Sequence, residues 1–328
     1  MPKYTFLSLK HGVKMSSPVD FVFHKLRPII FSSDAETAHE RMLSSVEMIS
    51  KFPGVIPFLR WQFREESPVL NTNLFGIKVN NPIGLAAGFD KDGRIYPSLF
   101  ALGFGFVEIG TVTPLPQSGN SKPRIFRLLD DHALINHLGF NSQGIHKMSE
   151  KLDLRSKVYS LEKSEKIKKF FEKQDKFSSC MLGINIGKNR DTSLKKARED
   201  YVSALSALHP FADYFTINIS SPNTEGLRKL QEKQMLRELL ESVCSQREKL
   251  DQNNILQTPL LLKLSPDLDD KGLQNCTEII KEYPIQGVIA TNTTLDRQQL
   301  KSSHKIEQGG LSGKPIKDRS TEVVRTLF

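Results

Sequence analysis

The 328-residue chain has few cysteines, no long apolar run and no acidic residue before Asp20. Cys180, Cys244 and Cys276 lie far apart and form no C-x-x-C pair. That argues against a disulfide framework, a zinc ribbon or a ligated iron–sulfur cluster, and makes a reducing compartment the simplest setting. No segment reaches the ~20 apolar residues of a membrane-spanning helix. The best stretch, 21–31, is cut by His24, Lys25, Arg27 and Pro28. The acid-free start carries Lys3, Lys10, His11 and Lys14, which is compatible with a targeting segment over 1–17, although arginine is missing too. Zinc-finger spacing and a basic stripe interleaved with aromatics are both lacking. The formal charge of +9 owes much to a mixed-charge segment, 155–176, that also holds Glu162, Glu165, Glu172 and Asp175, so no nucleic-acid partner is expected. His132 and His137 have loop neighbours and no metal-type carboxylate pattern, so no metal is expected either.

What is present is a repeating pattern. Short apolar, β-rich runs at 83–87, 104–109, 181–186, 213–219, 260–264 and 287–291 read as buried parallel strands. Helical stretches at 193–208, 233–249 and 271–283 lie between them, the alternation of right-handed β-α-β units. A doubly wound sheet is the competing architecture, but its G-x-G-x-x-G is absent, since Gly103 and Gly105 precede the second run. The expected fold is therefore an α/β barrel of the (β/α)8 type spanning 67–328. Before it, 70–74 and 77–79 read as a hairpin, and 18–66 reads as an amino-terminal helical subdomain. Phe21, Val22 and Leu26 form one stripe there, and Ala38, Met42, Val46 and Ile49 a second, capped by Ser33 or Asp34. The apolar tail Phe52 to Trp61 suits either a membrane-surface or hydrophobic-ligand element, or plain packing against the barrel. The connection 110–151, rich in Pro and Gly, reads as a long irregular active-site loop.

Polar residues gather just past each run, where a rigid sheet positions loops that remain open to a ligand. They include Ala87, Gly88 and Lys91, then Thr111, Asn185, residues 218–224 (Asn-Ile-Ser-Ser-Pro-Asn-Thr), Lys263, and Thr291 to Thr294. Six strands thus aim amides, hydroxyls and two lysines at one rim. Carboxamides offer both donor and acceptor to an imide edge, and a lysine balances an anion or a charge that develops during reaction. Ser221 is the expected reactive group. A lone hydroxyl is a weak base, so it needs a relay and a positive surrounding.

Taken together, Ala86 to Gly93, Asn136 to Asn141, Gly183 to Asn189, 218–224, 291–294 and Gly309 to Pro315 resemble the flavin-dependent dihydroorotate dehydrogenases, specifically the membrane-associated, quinone-using class. The other class of that family has a cysteine base where this chain has Ser221. The resemblance implies FMN held by Ala87, Gly88, Lys91, Thr111, Asn185, Asn218, Lys263, Thr291 and Gly313. It implies dihydroorotate held by Lys91, Asn136, His137, Leu138, Gly139, Phe140, Asn218, Asn223, Asn292 and Thr293. Ser221 would take the C5 proton while C6 gives hydride to flavin N5, yielding orotate for pyrimidine biosynthesis. Ubiquinone would reoxidise the flavin along a path lined by His39 and Arg127, through amino-terminal helices resting on the membrane. The implied address is the peripheral mitochondrial inner membrane, with the bacterial cytoplasmic membrane as alternative.

One departure stands out. A closed barrel needs eight strands, and only six are legible before the chain stops at Phe328. An incomplete gene, an inactive fragment that keeps a membrane or partner surface, and completion by another chain all fit. A related flavin barrel acting on another pyrimidine is a further alternative. As given, the chain is expected to bind little FMN and to be poorly soluble, because its outer strands would be open edges.

Overall fold

The computed structural model describes residues 7–8, 14–15, 18–65, 67–161, 180–252, 254 and 257–328. The expected targeting segment 1–17 and the mixed-charge segment 155–176 lie largely outside them, as do the side chains of Phe21 and Val22. The chain separates into two compact units, Met1–Ser45 and Val46–Phe328.

The first unit carries α1 (Pro18–Ser32) and most of α2 (Ala35–Ile49). Of the two expected caps, Asp34 makes the bond, its Oδ1 accepting from the Thr37 amide at 2.8 Å. In the second unit the apolar tail carries a third helix, α3 (Val55–Phe63). Pro57 is tolerated there because it falls in the first turn, where no intrahelical N–H bond is lost. Phe58 and Trp61 stack on the exposed side of α3, 56% and 63% exposed with ring centroids 6.0 Å apart. Among the described residues no helix is long and apolar enough to cross a membrane.

The second unit is built on a six-stranded sheet: β1 (Gly84–Leu85), β2 (Phe106–Val112), β3 (Met181–Ile186), β4 (Tyr214–Asn218), β5 (Leu260–Leu264) and β6 (Gly287–Ala290). Each strand pairs in parallel with the next in sequence, in the order β6-β5-β4-β3-β2-β1. A doubly wound sheet reverses direction at a switch point, and this one never does. Sequential order with helical crossovers is barrel topology, and the six strands form a half-barrel. β3, β4 and β5 are buried along their whole length. Ile184, Ile186, Phe215, Ile217, Leu260 and Leu262 are buried, as are Leu205, Leu208, Leu236 and Leu240 on the helices that follow, so both faces of the strands are covered.

The connection 110–151 differs from the irregular loop expected. It contains an antiparallel hairpin, Ile125–Leu128 with Ala133–Asn136, and then the helix Gly144–Leu161. Gly310–Gly313 completes this small sheet by pairing with Ala133–Asn136. The hairpin escapes the sequence pattern because its third strand lies far along the chain. Its core, Leu128, Ile135, Leu300 and Leu311, likewise draws on both ends of the unit.

Candidate active site

Side chains alternate along a strand, and the residues of β2, β3 and β4 that do not face the helices carry polar groups inward. Deepest is Glu108, 3% exposed. It accepts from Asn185 Nδ2 at 2.8 Å, Thr216 Oγ1 at 2.7 Å and Tyr214 OH at 3.4 Å. Burial, then the Glu108 carboxylate beside it, pushes the Tyr214 hydroxyl well above ordinary phenol and keeps it a donor. One layer higher, Thr111 Oγ1 donates to Asn185 Oδ1 at 2.6 Å, and Asn218 Nδ2 donates to both Thr111 Oγ1 and Asn185 Oδ1 at 3.1 Å. Above that, Asn218 Oδ1 accepts from Ser220 Oγ at 3.0 Å, and Asn292 Nδ2 donates to Ser220 Oγ at 2.9 Å. Every carboxamide orientation is thereby fixed from the barrel floor upward.

Glu108 is the residue that sequence reading overlooked, although an acid inside the run Phe-Val-Glu-Ile-Gly is itself a signal. Glu108→Ala strips the acceptor from three buried donors, each costing about 1–3 kcal/mol when orphaned. We expect a loss of stability of about 3 kcal/mol or more by chemical denaturation, most of it recovered in Glu108→Gln. An unchanged midpoint would show that the ladder does not depend on it.

Ser221, 6% exposed, sits at the end of β4. Its Oγ accepts from the Asn223 amide at 3.2 Å, a bond that favours the deprotonated oxygen. Asn223 Nδ2 donates to both the carbonyl and Oδ1 of Asn136 at 3.0 Å, and Asn223 Oδ1 stands 3.4 Å from His137 Nδ1. Gly310 closes the far side. A Cβ there would collide with Thr293 and Pro222, so only glycine admits the loop. Thr293 is held by Asn292 Oδ1, which accepts its amide at 2.7 Å. Arg228 clamps the 218–224 loop: Nε donates to Ser220 O at 3.1 Å, Nη2 to Thr293 O at 3.0 Å and Nη1 to Asp267 at 2.8 Å. No local pattern announces Arg228 or Asp267, since their role exists only once three loops meet.

Of the two lysines, Lys91 Nζ donates to Asn141 Oδ1 at 2.5 Å. Lys263 stands in register beside Asn218, 7% exposed, and makes no hydrogen bond or ion pair with any described residue. Gly88, at the end of β1, has φ +108 with nothing within 4 Å of a Cβ position, and its N–H donates to Gly110 O at 3.0 Å. Ala87 adjoins it, and Thr291 directly follows β6. Phe140, 6% exposed, packs against Gly187, as does the Thr111 methyl. Gly139 lies against Asn120, whose amide donates to Leu138 O at 3.0 Å. The structure thus gathers Thr111, Asn185, Asn218, Asn292 and Thr293 in one hydrogen-bonded group and Ser221, Asn223, Asn136 and His137 in a second, the two meeting in the 218–224 loop to form the rim. It does not bring Gly313 into that network: Gly313 pairs with Ala133 at the far end of the small sheet. Arg127 lies on the hairpin strand Ile125–Leu128 and His39 on α2. Among the described residues no group of three His, Cys, Asp or Glu side chains is placed to hold a metal.

A half-barrel whose strand ends converge in carboxamides, hydroxyls and a buried lysine defines a ligand-binding protein of the TIM-barrel type. The particular family is then fixed by comparison, for the family model "Dihydroorotate dehydrogenase" matches residues 69–328. The chain belongs to that family. It is 43% identical over 302 residues to a protein of Christiangramia forsetii named "Dihydroorotate dehydrogenase (quinone)", spanning 92% of this chain and 81% of the relative. A protein of the same name in Thermus thermophilus is 44% identical over 298 residues, 91% of this chain and 78% of the relative. Among solved structures, DHODH in complex with ferulenol from Eimeria tenella superposes with TM-score 0.77 at 37% identity, covering 89% of this chain and 76% of that one.

Proposed function

We propose that this chain oxidises dihydroorotate to orotate in pyrimidine biosynthesis, as an FMN-dependent oxidoreductase with a membrane quinone as final electron acceptor. The observation that carries this reading is the rim itself: Asn136, Asn218, Asn223 and Asn292, all oriented by hydrogen bonds, gather about the loop that carries Ser221, and a buried Lys263 that pairs with no described residue stands in register beside Asn218. Its family membership and its quinone-named relatives support the same conclusion.

The donor set fits FMN. A buried ammonium without a protein partner suits an anion or an electron-rich ring edge, and the open space at Gly88 admits a flat ring close to the backbone. Ala87, Gly88, Lys91, Thr111, Asn185, Asn218, Lys263 and Thr291 would hold it. Gly313 is proposed on the resemblance alone. When bound, FMN supplies the acceptor for the hydride that leaves the substrate ring. The chain's own residues do the rest. Lys91, Asn136, Asn218, Asn223, Asn292 and Thr293, with the 137–140 backbone and the Phe140 ring, would orient dihydroorotate. Ser221 Oγ removes the C5 proton while its own hydroxyl proton passes to solvent through a water relay, and the Asn223 amide stabilises the alkoxide character that develops on Oγ.

The exposed aromatic face of α3 and, each by itself, α1 and α2 are proposed as membrane-contacting elements, and His39 and Arg127 are each proposed as quinone-path residues on the resemblance alone. The protein would then be peripheral. The curated relatives above are bacterial and lend the mitochondrial inner membrane no support. The bacterial cytoplasmic membrane is the address that fits them. The test is steady-state turnover: against the weak flavin binding expected from the sequence, the purified chain given excess FMN should oxidise dihydroorotate when a soluble quinone is supplied and far more slowly with NAD or fumarate. Turnover with NAD or fumarate but not quinone would overturn the acceptor assignment.

A further inference from the structure

The 222–225 segment has a second polar recess against it. A pocket of ≈ 240 Å³ is lined by Arg190, Glu225, Thr224, His137 and Asn223, among others. Asn223 and His137 belong to the rim as well, so pocket and rim share side chains.

Three features of the pocket ask for a ligand. Thr224 is 6% exposed, and its hydroxyl has no hydrogen-bond partner among the described residues. The Arg190 guanidinium makes no hydrogen bond or ion pair with any described residue; only its backbone is engaged, the amide donating to Gln117 Oε1 at 2.9 Å. The Glu225 carboxylate lines the same pocket and is likewise without a described partner. The backbone under Arg190 is pinned. Lys188, 2% exposed, spends its ammonium on the carbonyls of Asn189, Arg190 and Thr192 at 3.0, 3.3 and 2.8 Å. Asn189 Nδ2 donates to Leu115 O and Gln117 Oε1, both at 2.9 Å. The arginine is therefore presented from a rigid base, which lowers the entropy cost of using it.

A cation and a carboxylate acceptor in one small polar pocket suit a ring that carries a carboxylate and N–H donors. We propose that the pocket is an encounter subsite for dihydroorotate, occupied before the substrate passes the 222–225 segment to reach Ser221. Arg190 takes the carboxylate and Glu225 accepts a ring N–H. The inference rests on the reading of the rim as the dihydroorotate site. A fixed positive charge on the approach raises the association rate of an anion, and the gain fades as salt screens it.

The test compares the flavin-loaded parent chain with Arg190→Gln and Arg190→Lys, measuring kcat and kcat/KM for dihydroorotate at low and physiological ionic strength. In Arg190→Gln, kcat/KM at low salt should fall about fivefold, the factor one unit charge at contact distance is worth in water. Its salt dependence should flatten, kcat and flavin content should not change, and Arg190→Lys should restore most of the loss. Unchanged kcat/KM and salt slope in Arg190→Gln would overturn the subsite while leaving the rim reading intact, as would a fall in kcat itself. A parent chain that binds flavin but does not react with dihydroorotate would refute the rim reading, and the subsite with it.

Discussion

Ser221→Ala should leave bound flavin in place and slow its reduction by dihydroorotate by about 10³-fold, the middle of the range that a positioned general base contributes. The variant removes only the hydroxyl at the end of β4. The carboxamide ring above Glu108 runs through Thr111, Asn185, Asn218, Ser220 and Asn292 and does not pass through Ser221, so substrate and cofactor contacts should survive. The structural cost is confined to the Asn223 amide, which loses its acceptor at Ser221 Oγ, on the order of 1 kcal/mol. Stopped-flow absorbance of the flavin reads the rate, and thermal unfolding reads the stability. A rate within threefold of the parent would place the base elsewhere. Equal losses of flavin and rate would mean that Ser221 supports the fold rather than the chemistry.

Lys263→Met should move stability and function in opposite directions. A buried ammonium that no described residue pairs is costly to the fold, so an apolar side chain of similar length should leave the flavin-free chain as stable as the parent or more so. Yet if Lys263 balances charge that develops on the bound ring system, the same change should slow flavin reduction by about 10²-fold or more. Differential scanning calorimetry of the flavin-free protein gives the first number and rapid mixing the second. A barrel-end lysine with a purely structural role predicts the reverse, a destabilised chain that reacts normally once loaded. The opposite signs make this variant more informative than one that loses both.

The parts of the molecule readable in the sequence are those where local pattern and tertiary placement agree. β3 and β5 fall at 181–186 and 260–264 as expected, because strands buried on both faces are uninterrupted apolar runs. β1 is shorter than expected, Gly84–Leu85 only, and Ile83 is 62% exposed at that edge of the sheet. The rim was legible because its polar residues directly follow strands. What escaped depends on distant partners. The hairpin at Ile125–Leu128 and Ala133–Asn136 is completed by Gly310–Gly313, and Arg228 gains its role only where the loops after β4, β5 and β6 converge. Gly54 precedes α3 as its cap and Pro57 sits harmlessly in its first turn.

The most direct test of the central claim is anaerobic titration of the flavin-loaded chain with dihydroorotate, followed by absorbance. The rim described here predicts stoichiometric bleaching of the oxidised flavin with one orotate formed per flavin, and full recovery of the yellow form on adding quinone. A chain that holds flavin but stays oxidised in excess dihydroorotate would contradict the assignment of this site.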